Sequence, residues 1–417
     1  MKLHSLASLA ALAVLTATPA MAQSPGHENA PISLESGNWR MTFGGFARTV
    51  LTVGNISHSS DDIQFGPEPG PSDYIGFANL NARLNFDVSY RDIVSARISL
   101  DGAGGIDTIN GSTDGAIQLK DAYMDFDIVP AFQIRAGQFK PPIDFENLTS
   151  ETKSDFIERS VVSTGMTVPI EKTEEDPESI SLRGISPARE LGIQFDSDLL
   201  DFGTVGFRYA AAVTSGSGTE TGPIDTRAAL YAHLELALMN ALYDGIKPGH
   251  FFSIGVSAAY RHGKFKFPSS ATIIGGVPDV LANYSYYQNI TTITGELHAN
   301  YSGLHIDVEA FWNKISNEEN EHSDIAGISS VPDDESAYGI VAQISYMLPF
   351  EYFRFQFGYR YALIVPDTDN GVDQHTVSVA YFVENYPVSV RFDYTVNVEA
   401  NVGFDNDFAM LMAQFVW

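Results

Sequence analysis

The chain has 417 residues, with 52 Asp and Glu against 24 Lys and Arg, a formal net charge of −28 and no cysteine. That acidity argues against a nucleic-acid partner, which needs a basic footprint, and the missing cysteine excludes a disulfide scaffold, a Cys-ligated zinc site and a thiol nucleophile. With 27 Phe and 19 Tyr it is too aromatic for disorder, and past residue 22 no run of about 18 apolar residues offers a helical membrane span.

The first element in chain order is residues 1–22. Lys2 gives a positive start, Leu6 to Leu15 is a run of Leu, Ala, Ser and Val, and Ala20-Met21-Ala22 is a small-x-small cleavage site. This is the pattern of a secretory signal peptide, too short in its apolar part to cross a bilayer as a helix. No cysteine follows the cleavage site, so no lipid anchor is indicated there. Residues 23–38 then form a short periplasmic N-terminal segment ahead of a barrel over 39–417.

From residue 39 onward the chain alternates. Leu84, Phe86, Val88 and Tyr90 enclose Asn85, Asp87 and Ser89, and Phe353 to Tyr361 places aromatics at every odd position with Arg354, Gln356, Gly358 and Arg360 between them. Strict alternation predicts β-strands with one apolar and one polar face. Sixteen are predicted: 39–53, 76–90, 93–101, 116–128, 131–139, 189–198, 201–213, 227–238, 251–261, 291–301, 304–316, 336–348, 351–363, 373–383, 387–398 and 407–417. In 227–238 the leucines fit a helical face as well as a strand face; its neighbours on both sides are strands, so it is read as one. Most connections alternate between short turns, such as Arg91-Asp92 and 302–303, and longer loops, of which 140–188 is by far the longest. Short turns at one end and long loops at the other describe an all-β, antiparallel, up-and-down transmembrane barrel, with both chain ends on the periplasmic side.

The outward face separates a membrane barrel from a soluble one. The apolar parity carries almost no charge, as a lipid face demands, since a charge near the bilayer midplane costs about 2–4 kcal/mol. Tyr90, Tyr260, Tyr301, Trp312, Tyr346 and Tyr361 fall near strand ends, where interfacial girdles lie. The last strand closes on Trp417, with Phe415, Ala413, Leu411 and Ala409 at alternate positions before it; such an end resembles the sorting signal of bacterial outer-membrane barrels. A Gram-negative outer membrane is the expected location, with its lipid and lipopolysaccharide as surroundings. The length, which by itself suggests two or three domains, is then spent on one barrel.

Residues 140–188 form the third long loop, and a loop of that length inside a compact barrel is usually functional. The residues beside it carry a family resemblance. Ala122-Tyr123-Met124-Asp125-Phe126, then Ile134-Arg135-Ala136-Gly137-Gln138-Phe139-Lys140-Pro141-Pro142, then Phe156-Ile157-Glu158-Arg159-Ser160 and Leu191-Gly192-Ile193-Gln194 follow one another in order. This succession resembles the phosphate-selective porin O and P family, and Phe43-Gly44-Gly45-Phe46 with Arg48 is similar to its first strand. The resemblance is specific over 122–195 and looser over the rest. It implies a homotrimeric barrel for passive, in some members anion-selective, diffusion, a third loop folded inward as the constriction, and an arginine ladder in the lumen. Only 23–38 precede the first strand, so no coiled-coil arm is expected.

Twelve of the fifteen Arg fall on the polar parity. Arg83, Arg97, Arg135, Arg208, Arg354, Arg360 and Arg391 are the pore-lining candidates, because a permanently charged, planar donor favours anions in pores. The same arginines could instead pair with inward acids such as Asp87, Asp101, Asp125, Glu235 and Asp393 and brace the wall. Lys140, Lys153, Arg159, Lys172, Asp155 and Glu158 are the constriction-loop candidates. The loops oppose anions: residues 140–188 hold ten acids against five Lys and Arg, and 317–335 hold seven acids and no Lys or Arg. A negative mouth draws cations over about a Debye length; these runs also read as solvated loop surface or as divalent-cation bridges to lipopolysaccharide.

For an enzyme the sequence lacks a G-x-S-x-G elbow, an H-E-x-x-H motif and a phosphate-cradling G-x-x-x-x-G-K. His233 and His298 sit on polar-parity strand positions, where a wall hydrogen bond accounts for them, and Asp367, Asp369, Gly371 and Asp373 resemble part of a calcium loop without its terminal Glu. No catalytic residue, metal site or cofactor is assigned. The expected function is a water-filled outer-membrane channel for inorganic ions and small hydrophilic solutes. A phosphate- or polyphosphate-selective porin is the alternative, and a barrel adhesin or receptor the remote one, since that would want a plug or very long exposed loops.

Overall fold

A computed structural model describes residues 32–56, 72–91, 93–102, 117–171, 178–187, 189–216, 228–238, 251–266, 285–318, 334–348, 354–367, 371–383, 386–399 and 407–417. The expected signal peptide and cleavage site therefore lie outside the described residues. Twenty strands are described: β1 (Ile32–Ser36), β2 (Trp39–Ile56), β3 (Ser72–Tyr90), β4 (Val94–Asp101), β5 (Gln118–Val129), β6 (Phe132–Phe139), β7 (Gly165–Glu171), β8 (Glu178–Arg183), β9 (Glu190–Asp196) and β10 (Leu200–Asp201) come first. They are followed by β11 (Val205–Thr214), β12 (Ala229–Leu238), β13 (Phe251–Lys266), β14 (Ser285–Tyr301), β15 (Leu304–Glu318), β16 (Glu335–Met347), β17 (Arg354–Pro366), β18 (Val372–Phe382), β19 (Val388–Glu399) and β20 (Phe408–Val416).

Sixteen of these, β2 to β6, β9 and β11 to β20, pair antiparallel with their neighbours and close on themselves through β2 and β20. Closure leaves no edge to template aggregation. The seam is finished by the last residue: Trp417 N donates to Gly45 O and Gly45 N donates to Trp417 O, each at 2.9 Å. The sixteen predicted strands are these sixteen, including 227–238, where the leucines alternate outward.

Burial runs opposite to that of a soluble β-protein. Along β12 exposure alternates: Leu230, Leu234, Leu236 and Leu238 are about half exposed, Ala229, Tyr231, His233 and Ala237 are buried, and Glu235 is half-buried. Elsewhere Ser257, Thr294, Glu309, Arg360 and Asp393 are buried on the polar parity, while Ile254, Ile344, Phe357 and Phe392 are exposed on the other. Apolar side chains outside and polar ones inside are what a bilayer and a wet lumen select. Among the described residues no helix is long and apolar enough to cross a membrane. Tyr90, with Trp39 against it at 4.9 Å, and Tyr301 and Tyr346 stand at the short-turn end, where a girdle is expected.

Several boundaries differ from the alternation. β3 begins at Ser72, β13 runs to Lys266 and β14 starts at Ser285, because ladder hydrogen bonds continue beyond the stretch where side chains alternate. The strand predicted over 201–213 begins instead at Val205: Phe202 N donates to Val205 O at 3.0 Å and Gly203 takes a φ of +94°, making a turn there. Ahead of the first predicted strand, β1 pairs with β2 from Ile32 opposite Phe43 to Ser36 opposite Trp39.

Candidate functional site

The third long loop carries its own structure. Two one-turn helices, α1 (Phe145–Leu148) and α2 (Val161–Thr164), precede a hairpin of β7 and β8. Asp144 caps α1 by accepting from Glu146 N at 3.1 Å, and Ser160 caps α2 by accepting from Ser163 N at 3.4 Å. Glu146 then ties the two together by accepting from Ser160 N at 3.1 Å and from the Ser160 hydroxyl.

From 144 to 161 this segment lies against the polar parity of β2, β3 and β15 to β19. Phe145 N donates to Glu309 Oε2 at 3.3 Å, Ile157 N to Asp393 Oδ2 at 2.7 Å and Val161 N to Gln374 Oε1 at 3.1 Å. Arg360 donates to Glu146 Oε1 at 3.2 Å and to Glu158 O at 2.8 Å. Asp155 is held by three strands at once: it accepts from Ser345 Oγ and Gln356 Nε2, each at 2.7 Å, and its Oδ2 lies 2.6 Å from His305 Nδ1. Phe156 rests over Gly358, where a Cβ would come within 3.3 Å of its ring, and the Arg360 guanidinium sits 4.6 Å from the centre of that ring.

On the opposite side a cavity of about 690 Å³ separates the segment from the wall of β6, β9 and β11 to β16. Lys140, Glu151, Lys153, Asp155 and Arg159 line it from the loop. Arg135, Arg208, His233, Glu235, Glu296, His298, His305 and Asp307 line it from the strands. The wall charges are mostly paired: Arg135 Nε meets Asp125 at 2.7 Å, Arg208 meets Glu235, and His298 Nδ1 meets Asp307 at 2.7 Å. His233 Nδ1 lies 2.9 Å from Ser257 Oγ, the wall hydrogen bond its position implied.

The predicted residues therefore divide. Arg135, Arg208, Lys140, Lys153, Arg159 and Asp155 come together around the cavity. Arg83, Arg360 and Arg391 are buried beneath the loop, Arg391 donating to Ser154 O at 2.5 Å. Arg97 pairs with Asp87 at 2.6 Å, and neither it nor Arg354 lines the cavity. Glu158 contributes its carbonyl to Arg360, and Lys172 lies outside the described residues. Two residues escaped the sequence reading. Glu151 sits among Arg48, Arg83 and Arg159, and His305 holds Asp155. The alternation of His305, Asp307 and Glu309 on the polar parity of β15 was the one signal available for the second; nothing local marked Glu151.

Burial sets the charge of the loop side. It pushes the Lys140 ammonium down to about 7, helped by Arg159 and Arg189, and pushes the Asp144 carboxyl up to about 7, helped by the charge of Glu146. Burial would also raise Glu151, but Arg83, Arg48, Arg159 and Lys140 hold it well below the usual carboxylate range. Among the described residues no group of three His, Asp or Glu is placed to hold a metal ion.

A barrel of sixteen strands, lipid-compatible outside and polar within, is the architecture of an outer-membrane porin, a channel for passive diffusion. Residues 76–197 match the family model of the phosphate-selective porin O and P, in keeping with the resemblance carried by 122–195. Among solved structures the chain is similar to a loop L8 deletion mutant of OmpT, an outer membrane protein of Vibrio cholerae, with 11% identity and a TM-score of 0.56, over 91% of this chain and 100% of that one. It is similar to an anion-selective porin from Comamonas acidovorans, with 12% identity and a TM-score of 0.55, again over 91% and 100%. The trimer form of in-vitro folded OmpT of Vibrio cholerae gives 12% identity and a TM-score of 0.52 over the same shares. At such identities these are likenesses of fold. No curated protein matches the chain.

Proposed function

We propose that the protein is a general-diffusion porin in which the 140–188 loop forms the constriction and the passage runs between that loop and the wall of β6, β9 and β11 to β16. The observation that carries this reading is the cavity of about 690 Å³ bordered on both sides by charged and polar groups. Apolar solutes gain nothing there, while ions and small hydrophilic solutes find partners throughout. Residues 1–22 serve as the export signal, and the barrel works as a trimer in lipid and lipopolysaccharide without a catalytic role; a trimeric OmpT is among the folds it is similar to. Reconstitution into planar bilayers tests the reading: stepwise conductance is expected, together with swelling of liposomes in small sugars. Absence of any conductance from folded protein overturns it and leaves the adhesin reading.

A second reading, a phosphate-selective channel, is favoured by one feature. Arg48, Arg83 and Arg159 gather at a single carboxylate, that of Glu151, beside the cavity, a density of guanidinium groups suited to an oxyanion.

A further inference from the structure

Around Glu151 the donors outnumber the acceptors. Its Oε1 lies 3.0 Å from Arg83 Nη2 and 4.0 Å from Arg159 Nη2, and its Oε2 lies 3.5 Å from Arg48 Nη2 and accepts from the Asn81 amide. Arg83 has a second acid, Asp101, at 2.8 Å. Among the described residues Arg48 otherwise meets neutral acceptors, Asn81 Oδ1 at 2.7 Å and the carbonyls of Ile157 and Glu151. Among the described residues, no hydrogen-bond acceptor meets the buried Arg159 Nη2 or Arg83 Nε. Glu151 and Arg159 both border the cavity, so the cluster opens onto the path of a permeating ion.

We infer that Glu151 is the specificity-determining residue of the channel: its carboxylate is the resident counter-anion of the Arg48, Arg83 and Arg159 cluster and takes the place that a tetrahedral oxyanion would otherwise hold. A carboxylate offers two oxygens to three guanidinium groups and one amide. A phosphate offers more, and would reach the donors that Glu151 leaves unmet. Held by a side chain, the resident carboxylate is always at the site, whereas a solute anion must compete for it from solution. The native channel is thereby kept from retaining phosphate, although its cation cluster is of the kind that binds it.

The inference rests on the channel reading, and single-channel recording separates the two: no conductance from the native protein counts against the channel, not against Glu151. Given a channel, inorganic phosphate at millimolar concentration leaves the chloride conductance of the native protein unchanged. Glu151→Gln raises the anion-to-cation permeability ratio, read from the zero-current potential in unequal KCl, by about tenfold, the lower end of what focused fields do to local ion concentration. It also makes the chloride current sensitive to inorganic phosphate. An unchanged ratio in Glu151→Gln, or block of the native channel by phosphate, overturns the inference. Should Glu151→Gln not assemble, Arg159→Gln is read instead: it removes one partner of Glu151 at the cavity and shifts the ratio toward cations, and no shift overturns the inference as well.

Discussion

Lys140 and Asp144 stand four residues apart at the start of the third loop, and burial drives both toward their neutral forms. For Lys140, brought down to about 7, the ammonium borders the cavity below that pH and is lost above it. For Asp144, brought up to about 7, the folded loop favours the protonated acid, so its contribution is full below the ordinary carboxylate value and is lost as pH rises toward 7. Both changes make the loop more negative in the same direction of pH. The anion-to-cation permeability ratio is therefore expected to fall between pH 6 and 8 as Lys140 titrates, about one unit either side of the value above, and Lys140→Gln to flatten that profile. A flat profile in the native protein counts against this account. Arg360 and Glu146 show the other regime, an ion pair buried on both sides at 3.2 Å. Arg360→Met leaves Glu146 with Ser160 alone, at a cost of about 3–5 kcal/mol for an orphaned buried charge, read as faster protease cleavage within 144–161.

At the scale of elements, the third loop is a docked segment rather than a free connection. Its anchors are backbone amides of Phe145, Ile157 and Val161 on carboxylate and amide side chains of three different strands. Gly358 is the position that lets it approach: with no Cβ, β17 leaves room for the Phe156 ring, and Arg360 lies against the same ring. Gly358→Val puts methyl groups into that contact and should lift the segment without disturbing the ladder, since the position itself is extended strand. The expected result is a barrel of unchanged β-content whose conductance changes and whose loop is cut sooner; an unchanged conductance would mean that Phe156 does not set the passage. The strands themselves were legible because lipid outside and water inside impose a period of two on every one of them. Their extensions in β3, β13 and β14 were not, since near the loops the alternation of side chains ends before the hydrogen bonding does.

At the scale of the whole molecule, closure concentrates on one seam. The Trp417 indole packs over Gly45, where a Cβ would come within 2.7 Å of the ring and would collide with the Arg83 carbonyl. Gly45→Val therefore opposes the pairing of first and last barrel strands, at a cost of roughly 1–3 kcal/mol for overpacking. It should lower the yield of the heat-modifiable folded form on gels, whereas the same change at Gly295, where nothing lies within 4 Å of a Cβ, should be tolerated. The net charge of −28 also becomes spatial at this scale. Among the described residues arginines gather on the wall and beneath residues 144–161, most of them in ion pairs.

What the sequence determined by itself was the barrel: its class, its strand number, its polar and apolar faces and its terminal aromatic. Each is a local consequence of solvent on two sides of one strand, so each is written into consecutive residues. What only the tertiary structure decided was which charges meet. Arg83 and Glu151 are 68 residues apart, Asp155 and His305 are 150, and Arg360 and Glu146 are 214. Parity placed the wall arginines on the polar side but could not say which of them residues 144–161 would cover and which would line the cavity. That choice follows from where residues 144–161 meet side chains of strands far along the chain, and no residue encodes it without that distant partner.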